Sequence, residues 1–137
     1  MDYLTNNISN FFIKKNSTLP ELIVPLSQKF MEYYQITPDM LENVAITFSM
    51  INSQTGIYTI ANVPANLIVE TLRPQYPNDL IYSLAYRFKL SQTKKVGNYL
   101  GEFKLDFLGS NCGKITIPDD QMINIIISDT ITKTTVI

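Results

Sequence analysis

Few residues in this chain are of a type that does chemistry. Adjacent carboxylates occur once, at Asp119-Asp120 after Pro118; the one thiol, Cys112, stands between Asn111 and Gly113; histidine is absent from all 137 residues. Without an imidazole, His-based proton transfer, Ser-His and Cys-His nucleophile pairs and the usual zinc sites are closed. Asp119-Asp120 supplies two of the six or more oxygen ligands that a hard cation needs, and its place after a proline reads as a solvated turn. Cys112 has no neighbouring basic cluster to stabilise a thiolate. Gly97, Gly101, Gly109 and Gly113 fit no phosphate-cradling spacing, so they read as turn and bulge glycines. The expectation is a protein without catalytic residues, metal ligands or cofactor, and an enzyme built on carboxylates alone is the remote alternative.

Tyrosine is the remaining type with a recognition chemistry, because an exposed ring can stack on a sugar or fill a partner's pocket. Tyr58, Tyr82, Tyr86 and Tyr99 fall in alternating segments where core burial accounts for them. Tyr33, Tyr34 and Tyr76 fall in less regular stretches, and Pro74 and Pro77 around Tyr76 suggest an extended contact loop. These three are candidate interface residues.

The elements that would position them are strands. Hydrophobic residues make up 45% and charged residues 17%, far from the composition of a disordered chain. Eighteen isoleucines, thirteen threonines and eight tyrosines suit a pleated, half-buried surface. A chain of this length supports one core, so residues 1–137 are expected to form one domain, with its core over about 11–128 and terminal arms at 1–10 and 129–137. A net charge of −1 gives no field to attract nucleic acid, and no apolar run approaches the ~20 residues of a membrane span. Met1 to Asn7 lacks the basic start and apolar core of a secretory signal, and a lone cysteine fits a reducing compartment, so folding in a cytoplasm is expected.

Val44, Ile46, Phe48 and Met50 alternate with Ala45, Thr47 and Ser49, and Gly56 turns the chain into Ile57–Ala61, which predicts a hairpin over 43–61. Leu80, Tyr82, Leu84, Tyr86 and Phe88 form one row, and Tyr99, Gly101, Phe103, Leu105 and Phe107 another. These two segments are expected to pair as a central antiparallel hairpin. Lys114–Ile117 and Ile123, Ile125 and Ile127 read as further strands, with weaker ones at 8–15, 21–26, 66–72 and 130–136. One helical turn is expected near 28–42, where Thr37 precedes Pro38 in the manner of an N-cap. The sum is an all-β, immunoglobulin-like antiparallel sandwich of about seven to nine strands.

Three segments, in this order, are similar to a known module. They are Ile13-Lys14-Lys15-Asn16-Ser17-Thr18-Leu19-Pro20-Glu21-Leu22, then Asn43 to Met50, then Tyr86-Arg87-Phe88 with Thr93, Gly97-Asn98-Tyr99-Leu100-Gly101-Glu102-Phe103, Ile115-Thr116-Ile117-Pro118 and Ile123 to Ile127. Together they resemble the N-terminal immunoglobulin-like domain of phage baseplate upper proteins, over about residues 11–128. The resemblance implies a non-enzymatic virion structural protein, made in the host cytoplasm and docked on other particle proteins as an auxiliary capsid, collar or tail component. Family members continue after this module into a linker and a receptor-binding or polymerising region. Its partners would be other virion proteins or further copies of itself. Tyr3, Leu4, Ile131, Val136 and Ile137 join the candidate interface, because the arms could add strands to a partner's sheet. The alternative is a carbohydrate- or host-surface-binding sandwich, which needs an exposed aromatic platform.

Overall fold

The structure, a computed structural model, describes residues 10–108, 113–119 and 121–129. Nine strands are present among them: β1 (Asn10–Lys14), β2 (Leu22–Leu26), β3 (Val44–Asn52), β4 (Tyr58–Pro64), β5 (Asn66–Arg73), β6 (Tyr76–Tyr86), β7 (Gly97–Phe107), β8 (Gly113–Ile117) and β9 (Ile123–Ser128). They form two sheets. The larger runs β1-β9-β7-β3-β4, with β8 beside the second half of β7, and the smaller runs β2-β6-β5.

Alternation explains why these segments pack face to face. In β3 the inward row is Ile46, Phe48 and Met50; in β7 it is Tyr99, Gly101, Phe103, Leu105 and Phe107; in β9 it is Ile123, Ile125 and Ile127. The smaller sheet answers with Leu22, Val24 and Leu26 from β2 and Leu84 and Tyr86 from β6. These rows meet in a single core whose centre is aromatic. The Phe48 ring lies 4.6 Å from Tyr86, 4.9 Å from Phe103 and 5.9 Å from Phe88, centroid to centroid.

This strand order, β2-β6-β5 against β9-β7-β3-β4, matches the B-E-D and G-F-C-C′ order of immunoglobulin-like sandwiches. One detail of β7 carries the likeness further. The Tyr99 hydroxyl donates to the Lys95 carbonyl at 2.7 Å, the corner by which such a strand is tied to the loop before it. Two residues on, where antibody domains place a disulfide cysteine, stands Gly101. A Cβ there would lie 2.7 Å from Ile125 Cδ1 and 2.9 Å from Phe48 Cζ, so the missing side chain is the space Phe48 occupies. Aromatic packing replaces the covalent bridge.

The tyrosine corner yields a measurable consequence. Tyr99→Phe keeps the ring and leaves the Lys95 carbonyl to find water, a loss of about 1–2 kcal/mol in urea denaturation. Burial holds the Tyr99 hydroxyl above its ordinary pKa of 10.0. Burial also raises Tyr86, whose hydroxyl donates to Gln92 Oε1 at 2.9 Å. For groups raised in the folded state, the unfolded chain loses its protons first. Stability is therefore intact below about pH 10 and falls as pH rises beyond it, more shallowly in Tyr99→Phe than in the wild type. Equal alkaline slopes for the two proteins would contradict this account.

Several expectations are corrected. β6 and β7 do not pair: they belong to different sheets, joined by a short 3-10 turn at Leu90–Gln92 that carries the chain across the sandwich. Two alternating apolar rows can meet side by side in one sheet or face to face across a core, and here Tyr86 and Phe88 meet Phe48 across it. The crossing is tied down by Thr93, whose hydroxyl donates to the Ser17 carbonyl at 2.9 Å while the Asn16 N–H donates to the Thr93 carbonyl at 3.0 Å. The sandwich is not wholly antiparallel, since β1 runs parallel to β9. Tyr58 is 61% exposed rather than in the core, because the register of β4 slips between Met50↔Ile60 and Ile51↔Tyr58. Residues 74–77 are no extended loop: Pro74 and Gln75 form the tight turn between β5 and β6.

Between β2 and β3 the chain forms two helices rather than one turn, α1 (Gln28–Tyr33) and α2 (Pro38–Glu42). Ser27 caps α1, its hydroxyl accepting from the Phe30 N–H at 3.0 Å. Thr37 is the N-cap residue of α2 with Pro38 first inside, although its side chain makes no capping bond. Phe30, Ile36 and Leu41 are buried from this connection. The expected strand at 130–136 and Cys112 lie outside the described residues.

Candidate functional site

The smaller sheet is built from strands of unequal length. β6 has eleven residues and β2 five, so β2 accompanies β6 only from Tyr86 back to Tyr82, opposite Leu26. At Ser27 the chain leaves the sheet for α1. From Ile81 back to Tyr76, β6 is paired by β5 on one side, and among the described residues no strand covers the other. The β5–β6 hairpin thus projects beyond its neighbour.

Along that uncovered side runs a groove of about 770 Å³. One wall is β6 over Asp79–Tyr82; the other is α1, through Met31 and Glu32, and Gln35 to Pro38 also line it. Its apolar character follows from the sheet. Leu80 and Tyr82 continue the inward row of β6, and Val69, opposite Tyr82, continues that of β5. These rows run past the core they serve elsewhere, which leaves Leu80 40% and Val69 49% exposed. The charged residues lining the groove are Glu32 and Asp79, both acidic.

None of the three candidate tyrosines lines this groove; Tyr33 ends α1, Tyr34 caps it and Tyr76 begins β6. Tyr33, 67% exposed on α1, meets Tyr34 edge-on at 4.9 Å. Tyr34 is half-buried, 4.9 Å from the Phe30 ring and packed against the core, so it buttresses Tyr33 as much as it presents a surface. Tyr76 opens β6 and is exposed, with the Arg73 guanidinium 4.7 Å above its ring. Arg73 also bonds Asp79 at 2.9 Å, in a solvent-facing pair worth about 0–1 kcal/mol. It pins the hairpin's geometry more than it stabilises the fold. Tyr3, Leu4, Ile131, Val136 and Ile137 lie outside the described residues.

Leu80 and Met31 were missed as site residues. The available signal was one of length: the apolar row of β6 extends well beyond the three apolar positions of β2. Among the described residues no three metal-binding side chains cluster, and no helix is long and apolar enough to cross a membrane. Asp119 is half-buried, with Oδ1 enclosed and lacking a hydrogen-bond partner; Asp120 lies outside the described residues. A strand edge beside an apolar trough is suited to accepting an extended segment of chain. No protein-family model matches the chain, and no curated protein matches it.

Proposed function

We propose that this protein is a non-enzymatic structural component of a bacteriophage particle, docking on other particle proteins through the groove between α1 and β6. The observation that carries the docking reading is the overhang of an eleven-residue strand beside a five-residue one, which leaves backbone edge and apolar side chains together. An isolated sheet gains nothing from such an edge, which invites pairing with another chain. The particle itself is inferred from the resemblance of residues 11–128 to baseplate upper protein domains. A glycan-binding platform is less well supported, because the Arg73 guanidinium covers a face of Tyr76.

The test is the chain's distribution among infected-cell fractions. Banded particles should retain the wild-type protein at fixed copy number, and the Tyr33→Ala, Tyr76→Ala double variant should be retained several-fold less. Full recovery of the wild type from the host cytoplasm, with none on particles, would remove this reading. Glycan-array binding lost in the same double variant would replace it with the carbohydrate reading.

A further inference from the structure

We infer that the groove accepts residues 131–137 of a second copy as an added strand beside β6, so that molecules join head to tail. This deepens the docking reading by naming a partner.

The occupant follows from reach and composition. β9 ends at Ser128, whose carbonyl accepts from the Lys15 N–H at 2.8 Å, and the Asp129 carbonyl is held by Lys14 Nζ at 3.3 Å. This exit lies level with Gly97, the first residue of β7, through the pair Gly97↔Ile127. The groove lies at the other end, where α2 leads into Val44 opposite Phe107, the last residue of β7. Eleven residues of strand separate the two ends by about 33 Å. Residues 130–137, fully drawn out from Asp129, extend about 28 Å at most. They cannot travel the length of their own molecule and also lie along β6, whereas a neighbour's groove is open to them.

Ile131-Thr132-Lys133-Thr134-Thr135-Val136-Ile137 is β-branched at every position except Lys133. Such a segment is fitted to an extended, pleated backbone. Its one charged side chain, Lys133, is positive, and the groove presents the negative Glu32, Asp79 being already paired with Arg73. Donor segment and acceptor groove are different surfaces, so a single contact is heterologous and leaves a segment and a groove open for further copies.

The test uses full-length chains in sedimentation experiments. The wild type should assemble beyond a dimer with rising concentration, with a step Kd of about 1–100 µM. Leu80→Lys obstructs the groove and Val136→Asp spoils the segment; each should weaken self-association at least about tenfold. Both variants should melt within about 3 °C of the wild type, since Leu80 is 40% exposed and Val136 lies outside the described core. Mixing the two should restore a one-to-one heterodimer, because a sound segment on the Leu80→Lys chain meets a sound groove on the Val136→Asp chain. A monomeric wild type, or a mixture that stays monomeric, overturns the inference. Association lost in Leu4→Asp but retained in Val136→Asp overturns it in favour of residues 1–9 as the occupant. Particle incorporation that survives in either case leaves the docking reading standing without this partner.

Discussion

Phe48→Ala is expected to lower the stability of the domain by about 4 kcal/mol, the largest loss from any single truncation in the core. Phe48 is fully buried, and its ring touches three others: stacked on Tyr86, tilted against Phe103 and edge-on to Phe88. Those rings come from both sheets, since Tyr86 belongs to β6 and Phe103 to β7, so the deletion removes contacts that hold the layers together. The neighbours cannot collapse into the space, because each is itself held. Tyr86 is bound to Gln92 through its hydroxyl, and Phe103 is flanked in the ladder by Phe48 and Ile117. In urea the midpoint should fall with an unchanged slope, and the melting temperature should drop by about 12–16 °C. A loss under about 1.5 kcal/mol would mean that the aromatic cluster is not the joint between the sheets.

Gly101→Ala is the complementary case, adding one methyl where Phe48→Ala removes the six carbons of the ring. The new Cβ would approach Ile125 Cδ1 to 2.7 Å and the tip of the Phe48 ring to 2.9 Å, inside van der Waals contact for both. Ile125 could yield by a rotamer change at some cost in packing. Phe48 could move only by pushing on Tyr86 and Phe103. A loss of about 2–3 kcal/mol is expected, in the upper part of the range for overpacked cores. The cause is checkable through coupling. In a Phe48→Leu background, whose side chain stops short of the Phe48 Cζ position, Gly101→Ala should cost at least about 1 kcal/mol less. Additive losses would show that the clash lies with Ile125 alone.

The elements of this fold were legible wherever alternation was strong. The β3 row Ile46, Phe48 and Met50 and the β7 row Tyr99 to Phe107 stand in the core as their spacing implied, and Gly56 takes the positive φ of 72° that its turn required. What alternation cannot carry is partnership. The rows of β6 and β7 look alike whether the strands share a ladder or face each other, and the sequence between them has no mark for a crossing except polar residues. Nor does local pattern announce a parallel edge pair, because β1 meets β9 only after the rest of the chain has been placed. Tyr58 failed for a smaller reason: a single slip of register moves a residue from inside to outside. Exclusion from regular rows singled out Tyr33 and Tyr76, which are exposed on the elements that wall the groove without lining it, and that exposure was legible. The groove was not, because it arises from the difference in length between β2 and β6, a relation between segments some fifty residues apart that no window of sequence contains.

The pairing of β1 with β9 sets an order of events during synthesis. Asn124 Nδ2 donates to Asn10 Oδ1 at 2.9 Å across 114 positions of sequence, so the first described strand leaves the ribosome with its hydrogen-bonding neighbour still unmade. At about 5–20 residues per second that interval is about 6–23 s. β2, β5 and β6 can meet meanwhile, since all three precede β7. The larger sheet can close only once translation has passed Ser128, and a chaperone that guards nascent hydrophobic strands would have its longest task at Phe11 and Ile13.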